Sequence, residues 1–302
     1  MNERPRAAPH VTLVLGAGGP VGQAFHAGVL HALAEACGWD ARGADVIVGT
    51  SAGAQVGALL RAGWNTHRLL QRATRPPPAP APPRKRARWP ASRAYLRAIV
   101  ARPWRVRLGP LVAALLPEGA HDAAHLHHLF DELFAGHWPK RPLWIPAVHA
   151  DSGARVVFGR ADAPRVDLAT AVRSSSAVPG LRRPVAVGPD RYVDGGVASA
   201  THADLALDAT AEPAHRRTVV VLSPLSRFWP LRLALRWELW PIARRGIDVI
   251  LFEPDRAVAR AMGWNPMSRA RVDAVADAAY HATRRRLQRA DAAALVRQLV
   301  GA

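Results

Sequence analysis

Residues 45–54 read Asp45-Val46-Ile47-Val48-Gly49-Thr50-Ser51-Ala52-Gly53-Ala54, a short apolar run that enters a glycine-flanked serine. The β-branched run before Gly49 predicts a buried strand, and the small residues after Gly53 predict a helix. The pattern G-x-S-x-G between a strand and a helix predicts a sharp turn with Ser51 at its tip. Ser51 is therefore a candidate nucleophile, and an idle serine in a surface turn is the alternative.

A second glycine-rich segment, Gly16-Ala17-Gly18-Gly19-Pro20-Val21-Gly22, lies between a predicted strand at residues 11–15 and a predicted helix. Successive glycines allow a tight turn that presents backbone N–H groups to an anion. Three interpretations are open: a dinucleotide-binding loop, an oxyanion hole, and a turn without a ligand. The dinucleotide fingerprint G-x-G-x-x-G is out of frame, because Val21 occupies its third glycine position and Gly22 follows one residue late. The nearby serine turn favours the oxyanion hole.

Composition restricts the class of protein. The 302 residues are 49% hydrophobic, which excludes disorder over the whole length. Their number suits one large α/β domain or two small ones, and of these we predict the single domain over residues 1–302. Cys37 is the only cysteine, so no intramolecular disulfide can form. No apolar stretch reaches the roughly 20 residues of a spanning helix. We expect a cytoplasmic protein, with peripheral membrane contact as the other option.

The formal net charge is +18, and almost all of it comes from arginine, since Lys85 and Lys140 are the only lysines. An arginine-rich, alanine-rich and proline-rich chain can simply reflect G+C-rich codons. Attraction to phosphate, in lipid headgroups or in nucleic acid, is the functional alternative. Charge alone does not distinguish a membrane surface from nucleic acid.

Three motifs together resemble the patatin-like phospholipases. They are the glycine loop Gly16–Gly22, the serine turn Gly49–Gly53, and the turn Asp194-Gly195-Gly196, in that order along the chain. The segment Arg173–Gly180, rich in serine and ending in Pro-Gly, is similar to the family's small-residue segment ahead of the aspartate.

This resemblance implies a three-layer α/β/α sandwich with a mostly parallel central sheet, acting as a lipid acyl hydrolase on lipid or other esters. It implies a catalytic dyad of Ser51 and Asp194, with Gly195 and Gly196 shaping the turn that carries the carboxylate. The N–H groups of Gly18, Gly19 and Ala52 would form the oxyanion hole. No cofactor or metal is required. Three positions depart from the family pattern: Ala17 interrupts the glycines, Val21 replaces a basic residue, and His202 stands where an asparagine is expected.

Two segments combine arginine with aromatic residues. Residues 73–107 are rich in proline and arginine and predict a surface insertion. Residues 225–246 predict an amphipathic helix with Trp229, Leu233, Trp237 and Trp240 on one face. Either segment could contact an anionic membrane, and core packing is an equal alternative for the helix. Nucleic acid is the less favoured partner. Residues 268–302 predict a C-terminal helix capped by Ser268.

Other chemistries are alternatives to the dyad. His121 and His125 have helical i,i+4 spacing, but no carboxylate or cysteine set completes a metal site. A Ser-His-Asp triad would need His202 or His281, and His281 falls inside a predicted helix. A nucleotide-binding protein would leave Ser51 and Asp194 without a role, and a catalytically idle membrane-binding protein remains the third alternative. The oligomeric state is not encoded in any of these patterns.

Overall fold

The computed structural model describes residues 9–75, 119, 124–209, 216–288 and 299. The strands are β1 His10–Leu15, β2 Val46–Gly49, β3 Leu143–His149, β4 Arg155–Phe158, β5 Val185–Val187, β6 Asp190–Asp194, β7 Arg217–Leu222 and β8 Asp248–Phe252. The helices are α1 Gly19–Cys37, α2 Ala52–Arg61, α3 Thr66–Thr74, α4 Ala124–Phe134, α5 Leu168–Ser175, α6 Trp229–Arg244, α7 Arg256–Met262 and α8 Val272–Leu287.

The chain forms two compact units. Unit 1 consists of Met1–Arg75, Arg141–Leu143 and Thr201–Ala302, and unit 2 consists of Pro76–Lys140 and Trp144–Ala200. The single domain over residues 1–302 stays a prediction. Of the predicted insertion at residues 73–107, only the end of α3 and Arg75 fall within the described residues.

Unit 1 is built on four parallel strands in the order β2-β1-β7-β8. Their apolar runs pair in register through Leu13, which lies beside Ile47 on one side and Val220 on the other. All three side chains are fully buried, as expected for strands covered on both faces. The strands end together, since Leu15 pairs with both Gly49 and Leu222. The segments that follow β1 and β2 therefore leave from the same edge of the sheet.

The helices of unit 1 pack closely on one another. In α1, a Cβ atom added at Gly28 would lie 2.3 Å from the carbonyl oxygen of Ala276 in α8, so these helices approach too closely for any larger residue at that position. α1 also packs on α3, and α6 packs on β8.

Unit 2 is antiparallel. β3 pairs with β4 and with β6, and β6 pairs with β5. The buried rings of Phe158 and Tyr192 meet edge to face, with centroids 5.2 Å apart, and α4 packs on α5. The mixed sheet with helices on both sides confirms the predicted α/β/α fold class.

The predicted start of the C-terminal helix is wrong. Ser268 precedes a short 3₁₀ turn at Arg269–Arg271, and its side chain makes no capping hydrogen bond. The N–H of Val272 closes that turn on the carbonyl of Arg269, so the α-helix begins only at Val272. Residues 289–298 of the predicted helix lie outside the described residues. Among the described helices, none combines the length and the apolar character needed to cross a membrane.

Candidate active site

Ser51 lies at the turn between β2 and α2 in an unusual backbone conformation. Its φ is 53° and its ψ is −109°, a region that non-glycine residues rarely adopt. A Cβ atom on Gly53 would lie 1.9 Å from the carbonyl oxygen of Leu15, and one on Gly49 would lie 2.6 Å from the carbonyl oxygen of Gly53. The turn can therefore form only with glycine on both sides of the serine, which is the physical content of the G-x-S-x-G pattern.

The glycine loop and the serine turn meet within unit 1. The N–H of Thr50 donates to the carbonyl of Leu15 at 3.0 Å, which ties the end of β2 to the end of β1. A Cβ atom on Gly22 would lie 3.6 Å from the Cβ atom of Ala52. Two motifs about 30 residues apart in sequence are thus adjacent in space, as the parallel pairing of β1 and β2 requires.

Three N–H groups of the glycine loop already donate hydrogen bonds to backbone carbonyls. The N–H of Gly16 donates to Leu222, that of Val21 to Pro266, and that of Gly22 to Gly18, at 3.0, 3.3 and 2.8 Å. Within the described part of the chain, the N–H groups of Gly18, Gly19 and Ala52 donate to no acceptor. Gly19 and Ala52 are the first residues of α1 and α2, where helical N–H groups have no intrahelical partner and carry partial positive charge.

Residues distant in sequence support the loop. A Cβ atom on Gly18 would lie 3.0 Å from the ring of Pro224, and one on Gly19 would lie 2.7 Å from the sulfur of Met267 and 2.8 Å from the carbonyl of Pro266. The loop is therefore enclosed on its outer side by two segments that follow β7 and α7. These contacts could not be inferred from the sequence, since no local pattern links residues about 200 positions apart.

His26 is a further residue that sequence analysis missed. Its side chain is fully buried on α1, and Nε2–H donates to the carbonyl of Gly16 at 2.8 Å. Burial lowers the pKa of His26 to about 4, although the hydrogen bond to Gly16 opposes this shift. His26 is therefore neutral at physiological pH and holds the first carbonyl of the glycine loop.

Asp194 ends β6 in unit 2, and it is 4% exposed. Its Oδ1 accepts the N–H of Gly196 at 2.7 Å, and its own N–H donates to the carbonyl of Ala177 at 3.0 Å. Gly195 and Gly196 form a 3₁₀ turn that begins at the aspartate. The carboxylate is thus oriented by its own turn, and the backbone of Asp194 is held by the small-residue segment. Ser51 and Asp194 belong to different units, so their pairing stays a proposal.

The sequence model of one family spans the glycine loop, the serine turn and Asp194, matching residues 13–207. Its description is patatin-like phospholipase. The chain belongs to this family. The resemblance inferred from the three motifs is therefore confirmed.

Solved structures with a similar course of the chain include two bacterial effectors. VipD from Legionella pneumophila is 14% identical, with a TM-score of 0.44 over 92% of this chain and 66% of that chain. The type III effector ExoU is 17% identical, with a TM-score of 0.39 over 93% of this chain and 54% of that chain. ExoU in complex with SpcU, from Pseudomonas aeruginosa, is 17% identical, with a TM-score of 0.40 over 93% and 52%.

This patatin-like chain spans about half to two thirds of the length of those chains. No curated protein sequence matches it.

Two departures from the patatin-like pattern have structural explanations. Val21 is buried, so the position that carries a basic residue in the family contributes here to the core. His202 is buried in the left-handed conformation, with φ 53° and ψ 37°. Asparagine and histidine are both enriched in that conformation, which explains why one can replace the other.

Glu238 of α6 holds the turn around His202. Its Oε2 accepts the hydroxyl of Thr201 at 2.6 Å and the N–H of Ala203 at 2.8 Å. Sequence analysis missed Glu238, because its position on the inner side of α6 emerges only from the packing.

No group of three potential metal ligands occurs among the described residues. His121 lies outside them. His281 lies within α8, as predicted from the sequence. Its Nε2 atom is 3.3 Å from the Oδ1 atom of Asp277, one turn earlier in the helix. An exposed histidine inside a helix does not resemble the loop histidine of a Ser-His-Asp triad.

Proposed function

We propose that this patatin-like protein is a serine acyl hydrolase that cleaves carboxylic esters of lipids. The observation that carries the proposal is the position of Ser51 in a strained turn. Beside it lie the N–H groups of Gly18, Gly19 and Ala52, which donate hydrogen bonds to none of the described residues. Because such N–H groups are held in place before the substrate binds, they can stabilise the negative charge that develops on a carbonyl oxygen. Membership in a phospholipase family supports the same chemistry.

The proposed reaction uses a dyad. The Oγ atom of Ser51 attacks the ester carbonyl carbon while its proton passes to the carboxylate of Asp194. The resulting oxyanion accepts hydrogen bonds from Gly18, Gly19 and Ala52. The C–O bond to the alcohol then breaks, and Asp194 returns the proton to the departing alkoxide. Water, activated by the same carboxylate, attacks the acyl-enzyme and releases the fatty acid and free Ser51.

Lipid substrate is proposed to be presented at an anionic membrane with which the protein makes peripheral contact. The high arginine content and the exposed tryptophans of α6 support this setting. Neither a cofactor nor a metal is needed for the proposed steps, and nucleic acid is not the proposed partner.

The first test is covalent labelling with a fluorophosphonate, which phosphonylates an activated serine, followed by intact mass measurement. Wild type should gain one adduct, whereas Ser51→Ala and Asp194→Asn should gain none on the same time scale. Loss of a general base typically costs about 10²–10⁴ in rate, so hydrolysis of a p-nitrophenyl ester by Asp194→Asn should fall within that range.

Two matched controls are available, one for each member of the dyad. Asp190→Asn removes a second carboxylate from β6, and Ser152→Ala removes a surface serine from the β3–β4 turn. Both variants should label like wild type, with folding checked by circular dichroism. A wild-type protein that is folded yet unlabelled would overturn the proposed function.

A further inference from the structure

The most exposed large apolar side chains of the described residues form one set on unit 1. Trp229, Leu233, Trp237 and Trp240 of α6 are 72%, 44%, 70% and 57% exposed, and Trp264 is 84% exposed. Spacings of four, four and three residues place the first four on one side of the helix. Trp264 joins them at the start of α6, where its ring centroid lies 6.1 Å from that of Phe228. We call these five residues the tryptophan surface.

The tryptophan surface is not the core-facing side of a poorly packed helix. α6 already buries its opposite side through Leu235, Leu239 and Ile242. The helix is therefore fixed to unit 1 by one face and presents tryptophan on the other. An exposed apolar patch on a folded protein often marks a site that binds another protein or a membrane.

The charges around the tryptophan surface are mostly positive. Arg244 and Arg245 are exposed at the C-terminal end of α6, and the Arg244 guanidinium lies 4.8 Å from the ring centroid of Trp240. Arg232 and Arg236 share the single carboxylate of Glu253, at 3.0 and 2.8 Å, so among the described residues the pair carries one positive charge in excess.

The one acidic residue of α6 does not offset these arginines at the surface. The side chain of Glu238 points inward, where it accepts hydrogen bonds from Thr201 and Ala203.

We propose that the tryptophan surface docks on an anionic lipid bilayer. Tryptophan prefers the headgroup region, where its ring is partly in hydrocarbon and its N–H stays wet. Arginine on the flanks adds attraction to anionic headgroups, worth about fivefold in binding for each residue near the surface. A second copy of the chain fits less well, because a two-fold contact through α6 would bring like-charged arginines together.

Docking of this surface would bring the glycine loop towards lipid. Trp264 is two residues from Pro266, whose carbonyl accepts the N–H of Val21. Phe228 follows the turn Pro224–Arg227, which packs on Gly18 through Pro224. The inference therefore extends the proposed function by naming the surface through which a lipid hydrolase would reach its substrate, and in that respect it rests on that function.

The test measures binding separately from hydrolysis. Ser51→Ala protein, which leaves lipid intact, is floated with phosphatidylcholine vesicles and with vesicles that also contain phosphatidylglycerol. We expect retention on the anionic vesicles that weakens as salt rises. Trp237→Gln/Trp240→Gln should weaken binding about tenfold or more, since apolar area is lost from the contact. Arg244→Gln/Arg245→Gln should weaken it about fivefold for each arginine removed.

The matched control is Arg42→Gln/Arg141→Gln. It removes the same charge from two exposed residues at the turn before β2, where Arg141 donates to the carbonyl of Gly43. This pair should bind like the parent, because the turn before β2 lies at the opposite edge of the sheet from the glycine loop. Equal losses in the two arginine double variants, with binding by Trp237→Gln/Trp240→Gln unchanged, would reduce the effect to net charge and overturn the proposal. Equal binding to neutral and anionic vesicles would also overturn it.

Two further measurements distinguish membrane docking from self-association and from a loss of catalytic function. Light scattering without lipid tests self-association, and a dimer that Trp237→Gln/Trp240→Gln abolishes would assign the surface to a second copy instead. Hydrolysis of a soluble p-nitrophenyl ester by the tryptophan variant on the wild-type background should be unchanged. Failure of vesicle binding with normal ester hydrolysis would refute the docking surface alone, whereas absent fluorophosphonate labelling would refute the proposed function alone.

Discussion

The Nε2 atom of His26 lies 2.8 Å from the carbonyl oxygen of Gly16, at the point where β1 gives way to the glycine loop. The rest of the ring is enclosed by the core, and among the described residues its Nδ1 atom has no hydrogen-bond partner. A protonated ring would place a charge in this apolar setting. The first residue of the loop is therefore held by a histidine that must stay neutral.

This arrangement predicts that acid weakens the fold. His26 has a pKa of about 4 in the folded protein and an ordinary value of 6.5. Between these values the unfolded chain binds the proton and the folded chain does not, so stability falls as the pH drops from 6.5 towards 4. The loss approaches about 3 kcal/mol at pH 4. His26→Gln keeps a donor for Gly16 but cannot titrate, and denaturant unfolding between pH 7.5 and 4 should show a shallower decline for this variant.

Wild type, measured over the same pH range, is the comparison for that experiment. Parallel declines in wild type and His26→Gln would contradict the assignment to His26.

Gly53→Ala should destabilise the serine turn severely. The added methyl would lie 1.9 Å from the carbonyl oxygen of Leu15, and that backbone cannot move without separating β1 from its neighbours. We expect a loss of about 3 kcal/mol or more, or an insoluble protein. Gly43→Ala is the control, because a Cβ there meets nothing within 4 Å, and its melting temperature should equal or slightly exceed that of wild type.

Ser51→Gly should be more stable than Ser51→Ala, although both lack the nucleophile. The positive φ of residue 51 costs a residue with a Cβ atom about 1–3 kcal/mol, and glycine avoids that cost while losing more chain entropy on folding. We expect a difference of about 1 kcal/mol in the unfolding free energy. Equal stabilities would mean that the strain at residue 51 is no larger than the extra chain entropy that glycine loses on folding.

Glu238→Ala should destabilise unit 1 by about 2 kcal/mol, since it removes the acceptor for the hydroxyl of Thr201 and the N–H of Ala203. Glu238→Gln retains an oxygen at the same place and should recover most of the loss. Thermal unfolding distinguishes the two variants. If glutamine destabilises as much as alanine, the charge of Glu238 and not its acceptor geometry is what matters.

The strands and motifs of this chain could be predicted because their signals are local. The strand predicted at residues 11–15 lies within β1 His10–Leu15, and the β-branched run before Gly49 forms β2 Val46–Gly49. Ser51 was identified because its two glycines satisfy a steric requirement that can be read from five residues. Asp194 was identified by resemblance, and its hydrogen bond to the N–H of Gly196 agrees with the predicted turn.

The supporting residues could not be predicted, because their roles depend on contacts between distant segments. His26 reads as one more residue of a helix, and Pro266 as one more residue of a loop. The exposure of Trp237 was equally hidden, since an amphipathic helix shows two faces in sequence without showing which one the core takes. The misplaced cap at Ser268 has a local cause, a 3₁₀ turn inserted before the helix.

The tryptophan surface also gives the molecule an optical property. The chain has ten tryptophans, of which Trp229, Trp237, Trp240 and Trp264 are more than half exposed, whereas Trp39 and Trp64 are buried at 6% and 8%. Emission should therefore divide into a red-shifted fraction that a water-soluble quencher such as acrylamide reaches and a blue-shifted fraction that it does not. The colour of the protein's own fluorescence would change when this surface leaves water, without any added dye.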